Sequence, residues 1–396
     1  MAGEKDAEKK VLPYAGVDET VVSTAKAVLY KILQSPGRLF WAGVMAGILI
    51  GMGYWLAYET GGSLWPYRVF LKDTVPSKEH VGSLIGYAVL SKYHVDLVSI
   101  AKLIVGAVFP LGLIAILIGG AELWTSCPHI PVYSLLTGKI RDRGLIYNWI
   151  AAYGGNFVGG FFLAFMATYG TSMLLGHPFF DISYMFAYKK VHLDAWTAFW
   201  RGIGCNFLVN LACWLWLRSK KGDFAGQVLL IWFPIFAFVA IGFEHCIANM
   251  FAISAGIFGS AINWKVYTIT YWQFFMKNLL PVTYGNLVGA TIFITLYYWY
   301  LASVGSKTYH AGPAELVKAA LKLNVAFAAI HLAVLVIIPA FIAHGVEAAL
   351  GLQLGTKLAN PYTALIPGIA VCLYYAILPF ASYKALKPWT AVTLNE

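Results

Sequence analysis

Three ionisable side chains lie inside apolar stretches of this 396-residue chain: Glu122, Glu244 and His245. A charge at the centre of a bilayer costs at least ~2.5–3.5 kcal/mol, so such residues are candidates for function. Burial disfavours the charged form of a histidine, whereas a nearby anion favours it. His245 is therefore the residue that we expect to exchange a proton with a weak acid.

The two glutamates have a structural alternative. Each stands where we expect a helix to break, and a carboxylate there can accept hydrogen bonds from the backbone N–H groups that the break frees. We favour this role of helix-break support for Glu122 and Glu244 over a proton relay. Asn156 and Asn286 have the same default, because a buried asparagine usually satisfies neighbouring backbone groups.

The composition indicates the class of protein that positions these side chains. The chain is 60% hydrophobic and only 12% charged, with a mean hydropathy of +0.69, whereas a soluble domain carries about 25% charged residues. This excludes a soluble enzyme and indicates a polytopic membrane protein. The net charge of +10 is spread over loops, so a nucleic-acid partner is not expected. The cysteines and histidines show no metal-ligand spacing, and we expect neither a metal nor a cofactor.

An apolar helix needs about 20 residues to cross a bilayer, and eight segments are long enough. Lys and Arg are more frequent in loops on the side of the N-terminus, which predicts that both termini are cytoplasmic; we expect the plasma membrane. Two short apolar pieces, 128–137 and 251–262, predict broken helices with breaks at 123–127 and 250–254. The predicted spans are 39–58, 99–125, 146–170, 195–217, 226–250, 278–302, 323–344 and 363–382.

Three short motifs recur in the same order in the two halves of the chain. FWAG at 40–43 returns as FWRG at 199–202, GAE at 120–122 as GFE at 242–244, and GNFVG at 155–159 as GNLVG at 285–289. Each half has three spans, and because this number is odd the second half has the opposite orientation in the membrane. Inverted repeats of this kind place the substrate path between the halves. His245 breaks the repeat, since its equivalent is Leu123, and this favours a functional role for it.

Five stretches together resemble one family. The run GFEHCIANMF at 242–251 is similar to the G-F-E-H-x-x-A-N-M-F signature of the formate/nitrite transporter family. GAELWTS at 120–126, KKVH at 189–192, G-x-x-C-N at 202–206 and NLLPVTYGNLVG at 278–289 agree with it. The resemblance covers about 35–305 and is closer to the protist members of the family than to the bacterial ones.

The resemblance implies an aquaporin-like fold of three plus three helices, with the second and fifth broken, in a homopentamer with one pore per protomer. It implies conduction of small weak-acid anions such as formate, nitrite, hydrosulfide or lactate, with protons and membrane lipid as the other partners. The expected organisation is a cytoplasmic segment at 1–37, a six-span pore domain at 38–305 and an additional two-span extension at 306–396. The extension begins with a short amphipathic helix over 314–323 at the inner surface, and we expect it to pack around the outside of the pentamer.

Roles carry over by resemblance to particular residues. His245 resembles the central histidine, and Thr125, Asn206 and Asn286 resemble its polar neighbours. The outer apolar constriction corresponds to Phe109 and Phe238, and Lys190 and Arg38 correspond to charges at the two mouths. The inner constriction corresponds to Leu113, Leu123, Trp124 and Val209.

The sequence departs from the family at Trp124, where phenylalanine is usual, and at Cys127-Pro128-His129, where small polar residues are usual. Three alternatives stay open: a nitrite or bicarbonate channel of the same fold, a non-transporting membrane scaffold, and an intramembrane enzyme. The enzyme is the weakest of these, because no nucleophile, metal cluster or cofactor motif accompanies the three ionisable residues.

Overall fold

Long apolar segments can satisfy their backbone groups inside lipid only as helices or closed barrels. The computed structural model describes residues 14–32, 34–64, 98–219, 222–304, 306 and 309–388. Within these ranges the protein is all-α, and its β contacts are two isolated bridges. Eight helices there are long and apolar enough to cross a membrane. The predicted all-α polytopic fold is confirmed.

The first half of the repeat contains a helix before the first span, a broken second span and a long third span. Residues 1–13 of the predicted cytoplasmic segment, and most of the predicted loop between the first two spans, lie outside the described residues. The helices are α1 (Val17–Ala27), α2 (Leu29–Ile32), α3 (Pro36–Gly61), α4 (Val98–Val108), α5 (Leu111–Gly119), α6 (Val132–Leu136) and α7 (Asp142–Phe165).

The second half repeats this order. A helix before the fourth span is followed by that span, a broken fifth span and a sixth span that runs from Gln273 to Ser303 through two π-helical segments. The predicted fourth span forms as a helix of 24 residues, although it is not one of the eight candidate spans. The helices are α8 (Phe179–Val191), α9 (Ala195–Arg218), α10 (Phe224–Ile241), α11 (Cys246–Asn263), α12 (Leu280–Ala290) and α13 (Tyr297–Ser303).

The first predicted break, at 123–127, lies between α5 and α6 as expected, but the second, at 250–254, lies inside α11 and is wrong. Helix α5 ends at Gly119 and α10 ends at Ile241, and the next residues, Gly120 and Gly242, adopt φ values of +79° and +94°. A glycine in this left-handed conformation ends a helix without a steric penalty. Each break therefore begins before its glutamate. The predicted spans 99–125 and 226–250 are not continuous helices.

The glycines of the GNxVG motifs bring helices into close contact. A Cβ on Gly159 would lie 2.0 Å from the carbonyl oxygen of Val44, and one on Gly289 would lie 2.4 Å from that of Ile203. Larger residues would push α7 from α3 and α12 from α9. Close approach of this kind stabilises helix pairs in lipid, where the hydrophobic effect does not drive their association.

The C-terminal extension forms two long helical runs. Helices α14 (Pro313–Leu321), α15 (Ala328–Leu332) and α16 (Ile338–Ala349) are joined by π-helical turns into one run, and α17 (Ile366–Leu386) follows. The predicted short helix over 314–323 is therefore the beginning of the seventh span and not a separate element. Helix α17 packs on α7, and the hydroxyl of Thr291 donates to Asn324 at 2.7 Å, so the extension covers the third and sixth spans of its own chain.

Candidate functional site

His245 lies at the second break, where the backbone is extended (φ −113°, ψ 110°) before α11 begins at Cys246. Its Nδ1 accepts the N–H of Ala248 at 3.0 Å, so the proton of the neutral ring must be on Nε2. Nε2 lies 3.1 Å from Oγ1 of Thr125. The side chain is buried. The ring is thus held in its neutral form, and its Nε2–H can donate to the hydroxyl of Thr125 or to a bound anion.

Asn206 and Asn286 hold the centre together through backbone groups. The amide of Asn206 donates to the carbonyl oxygens of Thr125 at 3.0 Å and Asn286 at 2.7 Å. Asn286 accepts the N–H of Cys246 at 2.9 Å and donates to the carbonyls of Glu244 and Gly202, each at 2.9 Å. Asn286 therefore binds the break itself, which is the structural role that its residue type predicts.

Asn156 does the same at the first break. It accepts the N–H of Trp124 at 2.8 Å and donates to the carbonyls of Glu122 and Gly43 at 2.9 and 2.8 Å. The two asparagines thus bind the backbone groups that we expected the glutamates to bind. The helix breaks are supported chiefly by amides, which can both donate and accept, whereas a carboxylate can only accept.

The glutamates pair with lysines instead. Lys190 donates to both oxygens of Glu244 at 3.0 Å, and Lys31 lies 2.8 Å from Glu122. Asn278 and Asn148 also donate to Glu244 and Glu122, at 3.5 and 3.3 Å. Burial opposes the charge on each lysine, but the paired carboxylate outweighs it and raises the pKa of Lys31 and of Lys190. Each break therefore has its own ion pair, which is buried at Glu244 and has a partly exposed lysine at Glu122.

Lys31 is the residue that the sequence reasoning missed. The notable signal is the repeat itself: Lys31 precedes Phe40 by nine residues, as Lys190 precedes Phe199 in the equivalent motif. Arg38, the predicted charge at that mouth, is exposed in the first turn of α3. The structure gives the ion pair to Lys31.

Phe238 packs against His245, and Phe109 packs against Phe238. The rings of Phe109 and Phe238 meet edge to face with centroids 5.6 Å apart, and Phe238 stacks on the imidazole at 5.9 Å. Leu113, Leu123 and Val209, which were expected to form the inner constriction, are buried, and their role as a constriction stays a prediction. Trp124 is also buried, with its ring against Trp149 and Tyr153 of α7.

A cavity of about 340 Å³ leads to this centre from the Lys190 side. We call it the Lys190 vestibule. Its walls include Phe109, Phe238, His245 and Glu244, together with four cations: Lys102, Lys189, Lys190 and Arg201. Lys102 and Arg201 are not among the residues predicted from the sequence. Cations in excess of carboxylates raise the local concentration of anions.

The sequence model of the family described as formate/nitrite transporter matches residues 18–300. The chain belongs to the formate/nitrite transporter family. Relatives in this family include a probable formate transporter of Methanothermobacter thermautotrophicus, 42% identical over 216 residues, 51% of this chain and 75% of that protein. Formate-nitrite transporter 3 of Toxoplasma gondii is 28% identical over 300 residues, 76% of this chain and 51% of that protein.

Solved structures of the formate/nitrite transporter family share the fold. One, titled an FNT family ion channel, is 27% identical with a TM-score of 0.57 and covers 72% of this chain and 98% of its own. A second, titled a pentameric formate channel with formate bound, is 27% identical with a TM-score of 0.51, over 67% of this chain and 97% of its own. This chain is thus an integral membrane protein of a transporter and channel family, not an enzyme, and its extension begins where the family match ends.

Proposed function

We propose that this member of the formate/nitrite transporter family is a homopentameric, proton-linked channel or transporter for small weak-acid monovalent anions such as formate or lactate. Nitrite and bicarbonate are the alternatives within the same fold. A pentameric relative with formate bound supports both the assembly and the substrate class. One observation carries the proposal: a neutral imidazole faces a hydroxyl at 3.1 Å and stacks on Phe238 in the wall of a cationic vestibule.

The vestibule and the rings have opposite effects on an anion. Lysines and Arg201 attract it, whereas the apolar pair Phe109 and Phe238 imposes a desolvation barrier, since a bare ion in a low dielectric is very costly. A weak acid can pass such a barrier in its neutral form. Conduction is therefore restricted to anions whose conjugate acids form readily, and the proton travels with the substrate.

The hydrogen bonds of His245 bear on where that proton comes from. Nδ1 accepts from Ala248, so protonation of the ring would break this bond. We propose that His245 receives the substrate as a neutral Nε2–H donor and that water in the vestibule supplies the proton. The N-terminus of α11, which begins at the next residue, adds partial positive charge beside the bound anion. The first break has no equivalent, because α6 starts only at Val132 and is five residues long.

The test is uptake of labelled formate, lactate and nitrite into proteoliposomes across a pH gradient. We expect uptake to rise as the outside becomes acidic and to collapse with a protonophore. His245→Asn should lower uptake more than about tenfold, since a hydrogen bond to a charged group contributes about 1.5–3 kcal/mol. His310→Asn, in an exposed loop, is the matched control. Uptake that ignores pH for every acid would contradict proton linkage, and unchanged uptake in His245→Asn would contradict the site.

A further inference from the structure

The C-terminal extension contacts α7 through aromatic rings. His331 of α15 packs its imidazole edge to face against the indole of Trp149 of α7, with centroids 4.5 Å apart, and Phe327 adds a second ring at 6.2 Å. The Nδ1–H of His331 donates to the carbonyl oxygen of Phe327 at 2.6 Å, which fixes the orientation of the imidazole. All three residues are buried. The extension therefore holds the indole of Trp149 in place.

The same indole contacts the first helix break. Its Nε1–H donates to the carbonyl oxygen of Cys127 at 3.1 Å, and its ring meets that of Trp124 edge to face with centroids 6.1 Å apart. Trp124 also meets Tyr153 at 5.3 Å, and Tyr153 lies against Tyr375 of α17 at 6.1 Å. Two contact paths, one through Trp149 and one through Tyr153, therefore join the extension to the break.

Residues 123–127, which we call the first-break segment, have little helical support of their own. They form a single 3-10 turn, and α6 begins only at Val132, whereas the second break continues at once into the 18-residue helix α11. Thr125 lies in the first-break segment, and its hydroxyl is 3.1 Å from Nε2 of His245. Because protein interiors are close-packed, a shift of Trp124 also moves its neighbour. The rings that hold Trp124 therefore also hold Thr125 against the histidine.

The residues that are held in this way are those at which the sequence departs from the family. Trp124 and Cys127 are both unusual for the family, and the family match ends at residue 300, before the extension. We propose that His331 is a positioning residue, which holds the first-break segment through Trp149 and so contributes to discrimination between small acids at the pore centre. The effect on discrimination rests on the proposed function, whereas the positioning of the segment does not.

The first test does not measure transport. Cys127 is a buried free thiol in the first-break segment, so the rate at which N-ethylmaleimide modifies it in the purified full-length protein, followed by mass spectrometry, reports opening of this segment. A contact can change the population of an open form by no more than its own energy, which for an aromatic pair corresponds to about two- to tenfold. We expect His331→Ala to speed modification of Cys127 by this factor and to leave Cys246, at the second break, unchanged.

Two further variants keep this test decisive if His331→Ala folds poorly. His331→Phe keeps a ring against Trp149 and should modify at the original rate, and Phe327→Leu, a milder change, should act in the same direction as His331→Ala. An unchanged rate at Cys127, or an equal rise at Cys246, would overturn the proposal.

The second test measures discrimination. The ratio of formate to lactate uptake in proteoliposomes should change in His331→Ala by about the same factor and should return in His331→Phe. The control is Tyr267→Phe, which removes a hydroxyl that donates to Glu347 of the extension at 2.7 Å; it should lower the melting temperature without changing the ratio. An unchanged ratio in His331→Ala, or an equal change in the control, would overturn the role in discrimination. Absence of uptake of every acid by the unmodified protein would contradict the proposed function instead, and the modification of Cys127 then decides the positioning.

Discussion

The hydroxyls of Tyr153 and Thr283 lie 3.1 Å apart in the buried interior. The two residues are equivalent in the repeat, since each precedes the asparagine of its GNxVG motif by three residues. A contact between equivalent positions of two inverted halves lies near the axis that relates them. The third and sixth spans, which also carry Asn156 and Asn286, therefore meet at the centre of the molecule.

Removal of one hydroxyl at this axis should destabilise the protein. Tyr153→Phe loses the bond and leaves the Thr283 hydroxyl buried, at an expected cost of about 1–3 kcal/mol. The melting temperature of the purified protein measures this. In the double variant Tyr153→Phe/Thr283→Val the loss should be smaller than the sum of the two single losses; strictly additive losses would contradict a direct bond.

The pair Lys190–Glu244 should behave as a buried ion pair. Lys190→Met leaves Glu244 charged and unpaired, which we expect to cost about 3–5 kcal/mol, and Glu244→Gln should act similarly. The double variant should recover part of the loss. The control is the half-exposed pair Lys322–Asp142, where the corresponding changes should cost at most about 1 kcal/mol.

The same ion pairs should not make the fold sensitive to pH in the neutral range. The pKa of Lys190 and that of Lys31 are raised by their carboxylates, so their stabilisation is complete below the unfolded pKa of about 10.4 and is lost only as pH rises through the higher folded value. Melting temperatures should therefore be nearly constant from about pH 6 to 9 as far as these lysines contribute. Lys190→Met should lower the melting temperature by about the same amount at every pH in this range. A difference from the unmodified protein that varied strongly with pH would contradict the assignment of this ion pair.

Lys31 and Arg38 should separate in a transport assay. Lys31→Met removes the cation beside Glu122 and should reduce anion uptake, whereas Arg38→Gln changes an exposed residue and should leave uptake near its original level. Proteoliposome flux at low ionic strength is the measurement, because screening weakens exposed charges first. Equal losses in the two variants would show that the ion pair has no special role.

The two phenylalanines should act as the barrier. Phe238→Ala removes a ring that contacts both Phe109 and His245. We therefore expect faster flux and weaker discrimination between formate and lactate. Phe233→Ala, on the same helix but 61% exposed, is the control. Slower flux in Phe238→Ala, in protein that is folded and reconstituted normally, would indicate that the ring positions His245 and does not limit passage.

The sequence by itself determined the all-α membrane fold, the inverted repeat and the family, and it singled out His245 as the residue that breaks the repeat. These follow from composition, from motif order and from a signature. All three can be read along the chain without knowing which residues meet in space. The repeat also contained Lys31, as the equivalent of Lys190, although the family resemblance points to Arg38 instead. Arg38 and Lys31 are both cations close to the first span, so both satisfy the expectation of a charge at that mouth. Only the spacing to Phe40 separates them.

Only the tertiary structure decided which groups meet. The breaks begin at Gly120 and Gly242 because of backbone conformation, and their freed N–H groups bind asparagines of the third and sixth spans. Glu244 finds its lysine on α8, and the carbonyl of Thr125 meets Asn206 of α9. Contacts of this kind join residues from 32 to 81 positions apart, and no periodicity along the chain encodes such separations. Packing of the helices decides them, because a buried polar group is stable only beside a partner that the fold brings to it.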